Sequence, residues 1–293
     1  MGAAVDRHFH YIVPVWGVEY VRLFTDICLP MLIGYSGIRE SVSPHDKFII
    51  ATTWHDRHVI MQTSAYQQLC QLMPVEFILI DGLVNLKDAY HAMSYCYMAG
   101  MQNADVRQDK TYFIFLTPDS FWTEGMFSRL AELRDQHYKV AMAIGIRLSL
   151  DPMLPFYLDL VNQSEDGRPI HLPFSQVINQ VMQHMHPMVK SSDLLSKDGF
   201  PNQWPSNVCW INTEKNQMVI HGFHLHPLMA KAPSRFVPMG DTLDGKFLKN
   251  LNYPLNDFYI FQSRYFALEL TDSTREWHVN LEPASIDKII DFS

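Results

Sequence analysis

Positive charge is what this sequence most lacks. Over 293 residues, 23 Lys and Arg stand against 31 Asp and Glu, a formal net charge of −8. A broad nucleic-acid footprint needs basic side chains to neutralise phosphates, so nucleic acid is not an expected partner. One phosphorylated small molecule is compatible with this balance, because a metal ion or a helix N-terminus holds a phosphate locally. Cysteine is also scarce. Cys28, Cys70, Cys96 and Cys209 lie far apart, without a CxxC pair and each in an apolar stretch. That spacing disfavours a zinc knuckle or a disulfide framework and predicts buried, reduced thiols. No run reaches the roughly 18 apolar residues that a membrane-spanning helix requires. The opening MGAAVDRHFH lacks the basic-then-apolar pattern of a secretory signal. A soluble, cytoplasmic protein is therefore expected.

Several motifs are missing as well. Without GxxxxGK[ST], or GxGxxG after the first apolar run, a P-loop kinase or a dinucleotide enzyme is not expected. Without GxSxG or HExxH, neither an α/β-hydrolase nor a zincin is.

What is present suits a large core: 47% of residues are hydrophobic, 18% charged and 13% aromatic, with 16 Met. The first half alternates short β-rich runs with helical spacing. Strands are expected at His10 to Val15, Lys47 to Thr52, Val75 to Ile80, Tyr112 to Leu116 and Lys139 to Ile144. Helices are expected at Glu19 to Ile33, Arg57 to Leu72, Lys87 to Met101 and Thr123 to Gln136, the last with Thr123 as N-cap. Continuous apolar runs, each followed by a helix, describe strands covered on both faces. The expected fold is α/β: a mainly parallel central sheet with helices on both faces and a mixed α+β C-terminal extension. In that extension Asp151 to Asn162 and Phe174 to Lys190 read as helices. Asn207 to Asn212 and Gln217 to Phe223 read as a hairpin, and Phe258 to Gln262 and Tyr265 to Leu270 as strands. No linker divides the chain, so residues 1–293 are expected to form one domain, with a nucleotide-binding half (1–150) and an acceptor half (151–293).

In an open parallel sheet, ligands bind beyond the carboxyl ends of the strands, where strand order reverses. The loops there contain Pro14-Val15-Trp16-Gly17, Thr52-Thr53-Trp54-His55-Asp56, Asp81-Gly82 and Thr117-Pro118-Asp119-Ser120-Phe121-Trp122. Three of these hold a carboxylate and three a Trp, which suggests a site with stacking surfaces.

The order of elements resembles the GT-A type of glycosyltransferase. The likeness lies in the opening strand with its proline turn (Tyr11 to Val15). It lies also in the small-residue helix Ala89 to Ala104 followed by the very apolar Thr111 to Asp119. It covers about the first 150 residues. The family's apolar strand ends in Asp-x-Asp, which holds a divalent ion on the donor diphosphate; Thr117-Pro118-Asp119 stands there in this chain. The resemblance implies a nucleotide-sugar donor, an acceptor hydroxyl, and Mn²⁺ or Mg²⁺ at Asp119. It also implies donor contacts from Pro14, Trp16, Gly17, Asp81 and Ser120, and a late histidine metal ligand, His226 or His224. Placed on a strand, those two imidazoles would share one face. Inverting transfer needs a carboxylate base, for which Asp244 or Asp241 is the candidate.

Each assignment has a plainer alternative. The histidines would be hydrogen-bonded hairpin residues, Asp241 a helix cap, Asp81 part of an Asp-Gly turn, and Arg147 half of an ion pair rather than a phosphate ligand. Two other functions stay open: a sugar-phosphate nucleotidyltransferase, whose basic loop after the first strand is missing, and a non-catalytic relative that binds a sugar nucleotide or a protein.

Overall fold

The computed structural model describes residues 7–84, 88–103, 110–164, 169–195, 200–201, 207–215, 217–234, 237, 243, 247–272 and 281–282. Its strands are β1 (His8–Pro14), β2 (Lys47–Thr52), β3 (Val75–Leu79), β4 (Thr111–Phe115), β5 (Ser120–Trp122), β6 (Val140–Ala143) and β7 (Gly145–Ser149). They continue as β8 (Phe200–Pro201), β9 (Asn207–Asn212), β10 (Gln217–Gly222), β11 (His226–Lys231), β12 (Phe258–Ile260), β13 (Ala267–Thr271) and β14 (Leu281–Glu282).

A seven-stranded sheet in the order β12-β6-β11-β4-β1-β2-β3 forms the centre. Its strand pairs are parallel except where β11 lies antiparallel between β4 and β6. The fold is thus α/β with a mostly parallel sheet. Every residue of β1 is buried, because β1 lies between two parallel neighbours and has a helical layer on each face. Phe9, Tyr11 and Val13 join one apolar cluster with the helical run 18–34. Ile12 faces the other way, onto Tyr97 of the helix Ala89–Asn103. This second layer sits very close: a Cβ built on Gly100 would lie 2.6 Å from Ile12 Cγ2. Gly100→Ala is therefore expected to cost about 1–3 kcal/mol through overpacking, read as a lower urea midpoint with an unchanged m-value.

Expected elements and structure part company at definite places. The expected helix Arg57 to Leu72 is two helices, Trp54–Met61 and Ser64–Leu72, because Thr63 leaves helical geometry and its hydroxyl accepts from Tyr66 N. The expected helix Phe174 to Lys190 breaks into Phe174–His184 and Pro187–Lys190. His186 precedes a proline and is held extended, at ψ 143°. Thr123 is not the N-cap of its helix. Gly125, at φ 72°, opens Met126–Asp135, while Thr123 Oγ1 accepts from Phe266 N at 3.2 Å. Cys28, Cys96 and Cys209 are buried as expected, but Cys70 is exposed. The strands β5, β7, β8, β11 and β14 went unread. In β11 the register shifts between Pro227 and Met229, as a proline without N–H requires inside a sheet.

A smaller sheet, β5-β13-β7, stands beside the carboxyl end of the large one. The expected hairpin is present as β9 and β10, with Asn212 opposite Gln217. Among the described residues, no helix is long and apolar enough to cross a membrane.

Candidate functional site

Strand order reverses between β1, which leads on to β2, and β4 on its other side. The loop after β4 therefore leaves the sheet at the point where a parallel fold opens a crevice. Leu116 N still bonds Ile12 O at 2.9 Å, after which the chain turns through Thr117, Pro118 and Asp119 into β5. Thr117 Oγ1 and Ser120 Oγ lie 2.6 Å apart, and Asp119 O accepts from Leu270 N at 2.9 Å. Asp119 as a residue is half-buried, and its carboxyl is turned away from water. Desolvation, and then the nearby charge of Glu269, push its pKa up to about 6, against hydrogen bonding from Thr117 and attraction to Arg147.

Beside this turn lies a cavity of about 450 Å³, within the size range of small-molecule sites. One wall is the face of the helix Ala89–Asn103 that carries Tyr90, Ser94 and Tyr97; others are Thr117, Gly145, Arg147 and Glu269. Met188, Asn207 and His224 come from the second half of the chain. Because β13 runs parallel to β7, with Glu269 opposite Arg147, Arg147 Nε reaches Glu269 Oε2 at 2.9 Å. Arg147 Nη1 lies 3.1 Å from Met188 Sδ. Arg147 thus takes the ion-pair alternative, with a carboxylate at the cavity wall. Sequence reasoning missed Glu269, Tyr90, Ser94 and Asn207. For Glu269 a signal existed: a lone acid inside the apolar strand Ala-Leu-Glu-Leu-Thr.

His226 opens β11 beside the end of β4, and its Nε2 lies 2.6 Å from Phe115 O. A carbonyl only accepts, so Nε2 carries the proton, and a metal role for His226 would have to run through Nδ1. His224 is exposed in the turn between β10 and β11, not on a strand, so the two imidazoles do not share a strand face. Among the described residues no group of three His, Cys, Asp or Glu is placed to hold a metal. Asp244 and Asp241 lie outside the described residues.

The donor-side candidates line the same edge of the sheet. Pro14 ends β1. Gly17 N donates to Asp56 Oδ2 at 2.9 Å, and its φ of 85° suits glycine. Trp16 is half-buried and packs on the cluster of Ala51, Ile80 and Cys96. Asp81 accepts from Trp54 N at 3.1 Å, which ties the loop after β3 to the start of the helix after β2. Trp54 is 54% exposed, whereas Trp122 is 2% exposed. Trp54 therefore offers a surface for stacking, and Trp122 belongs to the core.

No protein-family model matches the chain, and no curated protein matches it in sequence. Solved structures similar to it include Staphylococcus aureus TarS 1-349 (11% identity, 49% of this chain and 36% of that one, TM-score 0.33). Mouse xyloside xylosyltransferase 1 in its apo form is another (15% identity, 50% of this chain and 54% of that one, TM-score 0.32). TarS 1-349 in complex with UDP-GlcNAc matches over 97% of this chain and 71% of that one (10% identity, TM-score 0.40). In the first two alignments the chain spans about a third and about half of its neighbour's length. These likenesses are partial, and any functional reading rests on the site itself.

Proposed function

We propose that this chain binds a nucleotide-diphosphate sugar and transfers the sugar to an acceptor hydroxyl. The observation that carries the reading is Asp119: a desolvated carboxylate at the reversal of strand order, its pKa raised to about 6 by burial and by Glu269, beside a cavity with aromatic and polar walls. A carboxylate desolvated next to a second one is a site whose free energy a cation lowers. Oxygen donors of this kind suit Mg²⁺ or Mn²⁺ that takes its other oxygens from a diphosphate and water. Asp119 would hold the ion, and when bound the ion offsets charge on the leaving diphosphate. Trp16, Gly17 and Ser120 would border the donor along the sheet edge. Asp81 would position the loop that presents Trp54.

A second reading has its own support. The committed Nε2 of His226 and the lack of a three-residue ligand group among the described residues favour a relative that binds the sugar nucleotide without metal or turnover. Thermal-shift measurements with UDP, GDP, CDP, ADP and dTDP, each with and without Mn²⁺, separate the two. A ligand at a hundred times its Kd raises stability by about 2.7 kcal/mol through mass action. For the transferase we expect a shift from one diphosphate that Mn²⁺ enlarges. A shift indifferent to Mn²⁺ points to a metal-free transferase or to the binding-only reading, and no shift from any diphosphate removes both.

A further inference from the structure

Among the described residues that line the cavity, Glu269 is the one carboxylate. Its placement is built from both sides. Oε2 accepts from Arg147 Nε at 2.9 Å. Oε1 lies where a side chain on residue 145 would begin, since a Cβ built on Gly145 would overlap it. The register that puts Ala267 opposite Gly145 and Glu269 opposite Arg147 supplies both features at once. A plain surface ion pair needs no such cradle, and it is not set in the wall of a cavity. Arg147 gives one oxygen of this carboxylate a charge-assisted partner, and the other oxygen stays beside the open space at Gly145.

We propose that Glu269 is the catalytic residue that accepts the acceptor's proton, with Arg147 as the positioning residue that holds its carboxylate in the cavity wall and Gly145 leaving the space it occupies. This rests on the glycosyl-transfer reading above and assigns to Glu269 the task that sequence alone offered to Asp244. The acceptor O–H gives its proton to Glu269 as the acceptor oxygen bonds to the anomeric carbon of the donor. The bond from that carbon to the diphosphate oxygen breaks, and its electron pair leaves with the nucleoside diphosphate. The proton on Glu269 then passes to water.

The test uses the full chain, with Mn²⁺ and UDP, GDP, CDP, ADP and dTDP as binding probes. Turnover is read as diphosphate release from their glucose esters, with water as acceptor. Glu269→Gln is expected to lower kcat by about a hundredfold or more, far beyond any change it makes in diphosphate affinity. Glu269→Asp should keep part of the activity, and formate should restore part of it to Glu269→Ala, which a purely structural carboxylate would not allow. Arg147→Lys and Gly145→Ala should each lower kcat with little change in KM for the donor. Wild-type turnover retained in Glu269→Gln overturns the assignment, as does a loss of diphosphate binding that parallels the loss of turnover. If the wild-type chain binds none of the diphosphates, the transfer reading fails and this assignment with it. If the wild type turns over and Glu269→Gln does so equally, the assignment alone fails.

Discussion

Asp119→Asn is expected to abolish the Mn²⁺-dependent part of diphosphate binding and, at the same time, to make the protein more stable at pH 8. The two effects share one cause. Folding buries the Asp119 carboxyl beside Glu269 and raises its pKa from 3.8 to about 6. A raised folded-state pKa means that the native chain favours the protonated form. Its contribution to stability is fully present below pH 3.8 and is lost as the pH rises through about 6. At pH 8 the ionised group therefore costs the fold about 1–3 kcal/mol, at roughly 1.4 kcal/mol per pKa unit. Asparagine keeps the shape and accepts from Thr117, but it has no charge to desolvate. Urea unfolding at pH 5 and pH 8 checks the stability half, and a Mn²⁺ titration with the bound diphosphate checks the other. A variant less stable than wild type at pH 8 would mean that the ionised carboxylate supports the fold, and the site reading would fall.

His10→Leu should remove much of the acid lability of the protein. His10 is 1% exposed on the central strand β1, with Lys47 opposite it on β2. On the same face, the His8 ring centroid is 5.1 Å away and that of Phe113 6.2 Å. His10 Nδ1 is buried without a hydrogen-bond partner. Burial, then the charges of His8 and Lys47, lower its pKa from 6.5 to about 3. Because the unfolded chain takes up a proton that the native chain refuses, stability is present above pH 6.5 and is lost as the pH falls toward about 3. The loss from this residue amounts to several kcal/mol, up to about 4. Leucine is close in volume to histidine, brings no proton site and leaves no buried nitrogen unsatisfied. Its urea midpoint should change far less between pH 6.5 and 4 than that of wild type. Equal acid sensitivity in the two proteins would place the sensitivity elsewhere. Between pH 4 and 6 the slopes from His10 and Asp119 oppose one another in the wild type. Asp119→Asn should accordingly show a steeper rise of stability with pH in that window.

The framework was legible because it is written locally. A continuous apolar run of strand length followed by helical spacing reports a strand with cover on both faces. His10 to Val15, Lys47 to Thr52 and Tyr112 to Leu116 each carried that signal, and the strands found there, β1, β2 and β4, form the centre of the sheet. The loops at the carboxyl ends of those strands follow from the same reading, and with them Asp119. Local signals failed where a neighbour far along the chain decides the outcome. β11 contains a proline and lies antiparallel between two parallel strands. Its residues describe a strand only once β4 and β6 are in place. Trp122 looked like a stacking surface beside Asp119, yet it is covered, and Trp54 stands exposed in its stead.

The site divides along the same line. The sequence by itself determined the alternation of strands and helices, the acidic balance and the position of one carboxylate at the reversal of strand order. Periodicity, charge and loop position are properties of short stretches of chain. Only the tertiary structure decided what surrounds that carboxylate. Glu269 and Arg147 are 122 residues apart and meet because β13 pairs with β7, and Gly145 leaves room for the carboxylate by the same register. The raised pKa of Asp119 and the lowered one of His10 come from desolvation and from charges brought near by folding, and no local pattern contains either quantity.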